Sequence, residues 1–126
     1  MGKGDPLSQK YSLADEIGRG ASGIVYKALN LQTGGMVAIK KVALRGESKD
    51  QLLLLQREID LLKLLKNPYI VEYRESFNTR DTLYIVMEWA EDGDLHARLK
   101  RQRGRPLPEG TILDWFVQIC LAMKHV

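Results

Sequence analysis

Gly18-Arg19-Gly20-Ala21-Ser22-Gly23-Ile24-Val25, with Met36-Val37-Ala38-Ile39-Lys40 downstream of it, is the stretch that decides the fold. Residues that favour strands flank the glycines, from Tyr11 to Ile17 and from Ile24 to Leu29. This arrangement predicts two antiparallel strands joined by a glycine-rich turn. A third strand is predicted from Met36 to Val42, where alternation places Ala38 and Lys40 on the same face.

The rest of the chain predicts one long helix, two further strands and two later helices. Ser48-Lys49-Asp50-Gln51 fits a capping box and opens the long helix, which Asn67-Pro68 ends. Leucines cover much of that helix's circumference, so we expect it to pack on more than one side. The two strands are predicted over Ile70 to Phe77 and Thr82 to Trp89, and the later helices over Leu95 to Arg101 and from about Glu109.

The glycine motif has three known uses, which its context separates. In a dinucleotide fold the last glycine opens a helix, whereas Gly23 here opens the strand-like run Ile24-Val25-Tyr26. The phosphate-loop signature also fails, because no Gly-Lys-Ser/Thr follows. The third known use is a glycine-rich loop, G-x-G-x-x-G-x-V, followed by V-A-I-K on the third strand. This chain has both motifs in full, and the second ends at Lys40. Together, the two motifs indicate a device that holds nucleotide phosphates.

Composition and charge narrow the remaining classes of function. The 126 residues carry a net charge of +3 and are 44% hydrophobic, which is ordinary for one globular domain. Cys120 is the single cysteine, so an internal disulfide is excluded, and its helical position predicts an inert core thiol. His96 and His125 lack partners at ligand spacing, so no metal site is expected. We expect no membrane span and a cytoplasmic protein.

The basic run Lys100-Arg101-Gln102-Arg103-Gly104-Arg105 has two interpretations. It could be a nuclear-localisation or RNA-contact patch, or a solvated loop between two helices. No aromatic residue interleaves it, which favours the solvated loop. We therefore expect no nucleic-acid partner.

The chain resembles a eukaryotic protein kinase, and within that superfamily the NIMA-related serine/threonine kinases. Three stretches carry the second resemblance: Tyr73-Arg74-Glu75-Ser76-Phe77, Leu83 to Glu88 (LYIVME) and Asp114 to Ala122 (DWFVQICLA). The resemblance implies an α+β fold after a flexible N-terminus at residues 1–10. Residues 11–89 would form the nucleotide-binding N-lobe, a five-stranded antiparallel sheet with one long helix. Residues 90–126 would form the hinge and the start of a truncated helical C-lobe.

The resemblance also implies roles for single residues. Lys40 would contact the α- and β-phosphates of ATP and pair with Glu58 on the long helix. Met87 would be the gatekeeper, the backbone of Glu88 and Ala90 would bind the adenine edge, and Asp94 would contact the ribose. Taken alone, a glutamate such as Glu58 is more often a solvated helix charge than a buried partner, and Lys41, on the opposite face of its strand, is assigned to solvent. The remaining expected nucleotide contacts are Ile17, Gly18, Gly20, Gly23, Val25 and Ala38.

The family's remaining catalytic groups have no counterpart in this sequence. Neither His-Arg-Asp nor Asp-Phe-Gly occurs, so the base and the Mg²⁺ ligands of the full domain are missing, and this polypeptide alone is expected to be inactive. Two hypotheses stay open: a partial serine/threonine kinase that acts on protein substrates when complete, or a non-catalytic binding module that competes with a full-length relative. Nuclear, cytoskeletal or ciliary association is a further expectation of the resemblance.

Overall fold

A computed structural model of the chain describes residues 6–21 and 23–126. It contains five strands and four helices over these ranges. The strands are β1 (Tyr11–Gly20), β2 (Gly23–Asn30), β3 (Met36–Ala43), β4 (Tyr73–Asn78) and β5 (Thr82–Glu88). The helices are α1 (Pro6–Lys10), α2 (Lys49–Leu64), α3 (Leu95–Arg101) and α4 (Glu109–His125).

The strands form one antiparallel sheet in the order β1-β2-β3-β5-β4. The order follows from the three-stranded meander β1–β2–β3 and the hairpin β4–β5, which join when β5 pairs with β3. This sheet and the long helix α2 confirm the predicted α+β fold. The predicted strand from Ile70 begins only at Tyr73, because Asn67 organises a turn there through its side chain, which accepts a hydrogen bond from the Tyr69 N–H at 2.9 Å.

The back face of the sheet, as we call the face that carries Val37 and Ile39, holds the larger buried cluster. Its members are fully or almost fully buried: Leu7, Tyr11, Ala28, Val37, Ile39, Tyr84 and Val86. Alternation along β3 and β5 sends these side chains to the same side. Burial of this apolar surface is the main stabilising contribution on this side of the sheet.

The N-terminal segment closes the back face. Pro6–Lys10 form helix α1, and Leu7 is 0% exposed within the back-face cluster. Tyr11 donates its hydroxyl to Glu75 on β4, and the Lys10 ammonium lies 3.3 Å from the same carboxylate. The expectation of a flexible segment over residues 1–10 therefore does not describe Pro6–Lys10. Burial of the apolar Leu7 side chain holds these residues against the sheet. Residues 1–5 lie outside the described residues.

Helix α2 covers part of the opposite face, which we call the front face. Ser48 and Gln51 form the predicted capping box at its start, with Ser48 Oγ accepting from the Gln51 N–H at 3.2 Å and Gln51 Oε1 accepting from the Ser48 N–H at 2.9 Å. Ile59 is buried among Val42, Leu83 and Ile85 of the sheet.

The expectation that α2 packs on more than one side was wrong for the described chain. Leu53, Leu54, Leu61 and Leu64 are all more than half exposed. At 100° per residue, Leu53 and Leu64 lie on the side of the helix away from Ile59. No other element of residues 6–21 and 23–126 covers that side, so leucine content alone overstated the packing of this helix.

Helices α3 and α4 contribute no buried residue. Large side chains of α4 are exposed, among them Phe116 at 62% and Met123 at 66%. The prediction that Cys120 is a core thiol was wrong: Cys120 is exposed, because nothing in the described chain covers its side of α4. Across residues 6–21 and 23–126, no helix has the length and apolar character needed to cross a membrane.

Candidate functional site

Strand register brings the residues predicted to surround a nucleotide into one row on the front face. Val25 lies opposite Lys40, and Ala38 lies opposite Met87. Directly opposed residues of antiparallel strands project to the same face. Gly18 extends the row, because it lies opposite Val25 on the edge strand β1. We call these five residues the front-face row.

The front-face row combines an apolar surface with one cation at its side. Ala38 is buried, while Val25 and Lys40 are half-buried. Met87 packs against the buried cluster of the front face, which consists of Val42, Ile59, Leu83 and Ile85. A flat, apolar surface bordered by a positive charge is suited to an aromatic base that carries phosphates. The described structure has the right residue types in one place for that chemistry.

The three glycines of the motif differ in what the protein itself requires of them. A Cβ on Gly23 would lie 2.3 Å from the Lys41 carbonyl oxygen, so the pairing of β2 with β3 excludes any side chain there. A Cβ on Gly20 would meet nothing within 4 Å, and one on Gly18 would meet only the Val25 Cβ at 4.0 Å. Internal packing therefore explains glycine at position 23 and leaves positions 18 and 20 free for the close approach of a ligand.

Gly18 and Gly20 both belong to β1, which runs to the edge of the turn. The turn itself is short, because Gly20 already pairs with Gly23. Arg19 and Glu16 hold this end of β1 with a two-point hydrogen-bonded ion pair, at 2.8 and 3.1 Å. The hydrogen bond from Arg19 lowers the pKa of the Glu16 carboxyl. Ser22 lies outside the described residues.

Ile17 is the one predicted base contact that the register leaves apart from the row. It lies within the second register shift of the β1–β2 pair, between Glu16 and Gly18, and is 46% exposed. A shift of this kind re-aims the side chain on the bulged strand. The structure thus brings Gly18, but not Ile17, opposite a residue of the row.

Lys40 and Glu58 are not joined by an ion pair in the part of the chain that the structure describes, where the ion pairs are Lys10–Glu75 and Glu16–Arg19. The predicted pairing is therefore not formed. Ile59 is the α2 residue that enters the core, and its neighbour Glu58 lies 100° further around the helix. Glu58 is exposed and lines a cavity of about 510 Å³ between α2 and the glycine-rich turn.

The chain after β5 offers backbone groups beside Met87. The Glu88 N–H already donates to the Glu72 carbonyl at 2.9 Å, so this N–H is not available to a ligand. Ala90 accepts from the Gly93 N–H at 3.2 Å, and its own N–H has no acceptor within the described residues. Asp94 caps α3 by accepting from the Ala97 N–H at 2.8 Å with Oδ1, so its second oxygen is the one open to another partner.

The sequence argument missed one contact at this end of the sheet. Lys27 lies opposite Ala38 and therefore shares the face of the row. Its ammonium lies 5.1 Å from the centroid of the Trp89 ring, a cation–π geometry. A sequence signal for the face of Lys27 was present, since it lies two positions from Val25 on the same strand. Alternation alone, however, cannot pair Lys27 with an aromatic residue as distant in the sequence as Trp89.

No group of three or more metal-ligating side chains occurs among residues 6–21 and 23–126. Mg²⁺ is commonly held by one or two carboxylates together with phosphate oxygens. Among the described residues, Lys40 lies opposite Val25, which in turn lies opposite Gly18, and no group of three or more metal-ligating side chains surrounds them.

Comparison with known proteins gives one family. Residues 11–126 match the family description "Protein kinase domain". The chain is 41% identical over 118 residues to "Serine/threonine-protein kinase Nek1" of Mus musculus, covering 94% of this chain and 10% of that protein. This similarity confirms the resemblance to the NIMA-related kinases.

Relatives outside that group are comparably similar. "MAP3K epsilon protein kinase 1" of Arabidopsis thaliana is 41% identical over 124 residues, covering 98% of this chain and 9% of that protein. "Cell division control protein 7" of Schizosaccharomyces pombe is 46% identical over 115 residues, covering 91% and 11%. The chain thus spans about a tenth of the length of these relatives.

Proposed function

The chain belongs to the protein kinase family, and from this premise we propose that it is the ATP-binding part of a serine/threonine protein kinase. One observation carries the proposal: the front-face row of Gly18, Val25, Ala38, Lys40 and Met87. Relatives named as serine/threonine kinases support the substrate class, and the family uses ATP with Mg²⁺.

We assign the adenine to the apolar part of the row. Val25 and Ala38 would contact one side of the ring, and Met87 would limit its depth. The Glu88 carbonyl and the Ala90 N–H would bind the edge of the base, and Asp94 would use its open oxygen for the ribose. The Ala90 N–H supports this assignment, because Ala90 is exposed and its N–H donates to no acceptor among the described residues.

We assign the phosphates to the glycine side of the row. Gly18 and Gly20 allow the chain to approach the phosphates without a side chain between them. Lys40 supplies the positive charge. Glu58 would pair with Lys40 only if α2 moved, since the two are not paired here. For a partly desolvated pair at about 4 Å the Coulomb term is on the order of 4 kcal/mol before desolvation is subtracted, enough to help set the position of α2.

We further propose that this 126-residue polypeptide binds nucleotide without transferring phosphate. Its sequence contains neither the His-Arg-Asp nor the Asp-Phe-Gly string that supplies the base and the metal ligands of the family. With only one wall of the site present, we expect ATP to bind with a Kd of about 1 mM, or roughly −4 kcal/mol. Turnover of radiolabelled ATP onto a generic protein substrate would contradict this part of the proposal.

Neighbouring lysines provide the test of the site. Lys40 lies on the front face and Lys41 is exposed on the other face of the same strand. Titration of each variant with a fluorescent ATP analogue should show that Lys40→Ala weakens binding about tenfold, the equivalent of one charge-assisted contact. Lys41→Ala, which removes the same charge, should leave the Kd within about twofold. Equal effects of the two substitutions would contradict the assignment of the phosphates to the front face.

A further inference from the structure

A groove with walls of opposite charge lies beside α3, and none of the residues that line it belongs to the front-face row. It encloses about 610 Å³ and is lined by Glu91, Asp92, Gly93, Ala97, Lys100, Arg101 and Arg103. We call it the bipolar groove. Its acidic pole, Glu91 and Asp92, precedes the first turn of α3. Its basic pole, Lys100, Arg101 and Arg103, begins in the last turn of that helix.

The charges of the groove do not neutralise one another. In the described ranges the ion pairs are Lys10–Glu75 and Glu16–Arg19, so neither pole of the groove takes part in one. Between Ala97 and Pro106 the sequence has five cations and no carboxylate. Arg98 is the one that is engaged, since its guanidinium lies 5.6 Å from the centroid of the Trp115 ring, and it does not line the groove. The other cations remain exposed to solvent.

The backbone holds both poles in place. Asp94 caps α3, which fixes the start of the helix next to Glu91 and Asp92. At the other end, the Arg103 N–H donates to Lys100 and the Arg105 N–H donates to Gln102. Arg103 has a φ of 52°, a left-handed conformation that costs a side-chain-bearing residue on the order of 1 kcal/mol. The fold thus keeps an arginine at a position where glycine or asparagine is less strained.

The distance between the two poles determines how far apart a partner must carry its basic and acidic residues. The acidic residues precede α3 and the basic residues begin in its last turn, so most of this 7-residue helix, about 10 Å long at 1.5 Å per residue, lies between the two poles. An extended peptide covers about 10 Å in three residues. We propose that the bipolar groove docks an extended peptide segment that carries a basic residue and, about three residues away, a run of acidic residues.

A peptide suits these charges better than a nucleic acid does. A polyanion would gain from Lys100, Arg101 and Arg103 but would be repelled by Glu91 and Asp92. It would also find no aromatic residue among those that line the groove. A segment with both charges complements both poles, and complementary charge of this kind determines selectivity more than affinity.

The test uses the 126-residue chain and a fluorescein-labelled peptide, GSKSGEEESG, followed by fluorescence anisotropy at about 50 mM salt. We expect a Kd in the range of hundreds of micromolar, since exposed ion pairs contribute little each. The double variant Lys100→Glu/Arg103→Glu should weaken binding about tenfold or more. A matched double reversal of exposed cations elsewhere, Arg80→Glu/Lys124→Glu, should change the Kd less than twofold.

A charge-swapped pair makes the test specific. Adding Asp92→Lys to the double variant should invert the preference, so that the reversed peptide GSESGKKKSG binds better than the original. Circular dichroism of each variant checks that it is folded, and all of these residues are exposed, so the fold should tolerate the changes. The proposal is overturned by equal loss in the Arg80→Glu/Lys124→Glu control, by no peptide binding at about 1 mM, or by tighter binding of a labelled ten-nucleotide oligouridine. None of these outcomes depends on ATP.

Discussion

The two faces of the sheet differ in how completely the chain covers them. On the back face, α1 and β1 close a cluster in which Leu7, Val37, Ile39 and Val86 are fully buried. On the front face, α2 adds one buried residue, Ile59, and covers only the part near Val42, Leu83 and Ile85. The front-face row is left open beside it.

The difference separates stability from binding. A closed apolar cluster supplies the burial that holds the sheet together, and the same sheet then presents a rigid, partly open surface on its other side. Substitutions on the back face should therefore change the free energy of unfolding. Substitution of Lys40 in the front-face row, which is half-buried and has no ion-pair partner among the described residues, should change ligand affinity with little change in stability.

The largest expected effect is at Leu7. Leu7→Ala removes a side chain that is 0% exposed and leaves a cavity under α1, so we expect a loss of about 2–5 kcal/mol in the free energy of unfolding. Urea denaturation followed by circular dichroism measures it. The control is Leu64→Ala on α2, where the side chain is 75% exposed and the expected change is within about 0.5 kcal/mol. Similar losses for both would mean that α1 does not close the back face.

Substitution of the glycines should give the next largest effects, on stability at Gly23 and on ATP binding at Gly20. Gly23→Ala places a Cβ against the Lys41 carbonyl, so we expect a loss of roughly 1–3 kcal/mol in stability. Gly20→Ala meets nothing within 4 Å, and should leave stability within about 0.5 kcal/mol while it weakens ATP binding. Thermal melts with and without nucleotide measure both. A Gly20→Ala protein with unchanged ATP affinity would contradict the role given to this glycine.

The smallest effect concerns the Tyr11 hydroxyl on the back face. Burial raises the pKa of Tyr11 above its ordinary value of 10.0, and the hydrogen bond to Glu75 raises it further. The neutral phenol is the form that the fold favours. Its contribution to stability is therefore complete below the unfolded pKa and is lost as the pH rises above 10 toward the raised pKa.

Tyr11→Phe tests this dependence. The variant should lose about 1 kcal/mol of the free energy of unfolding near pH 8, because one hydrogen bond is removed. Its Tm should then fall less than that of the original chain as the pH is raised above about 10. Parallel pH profiles for the two proteins would show that Tyr11 does not titrate with unfolding.

Much of the fold was predictable because it rests on local patterns. Alternation gave β3 and its two faces, and the Ser48–Gln51 capping box gave the start of α2. Helix α1 was not predictable in this way, because five residues are too few for periodicity and its order comes from the long-range burial of Leu7. The coverage of α2 and the exposure of Cys120 depend equally on which elements lie nearby, which no local pattern states.

The candidate site divides in the same manner. Motif spacing identified Gly18, Val25, Ala38 and Lys40, and register then placed them together with Met87. The Lys40–Glu58 pair depends on the rotation and position of α2, so spacing along the chain could name its members without fixing their contact. The Lys27–Trp89 stack lay outside the motifs altogether.

Two alanines provide the most direct measurement of the central claim, that nucleotide binds the front-face row. Ala28 and Ala38 lie on neighbouring strands and are buried on opposite faces of the sheet, Ala28 in the back-face cluster and Ala38 in the row. With ¹³C-labelled alanine methyl groups, an NMR titration with ATP should shift the Ala38 resonance in a saturable manner and leave the Ala28 resonance in place. A shift of Ala28 equal to that of Ala38, or no shift of Ala38 at about 10 mM ATP, ten times the expected Kd, would contradict the claim.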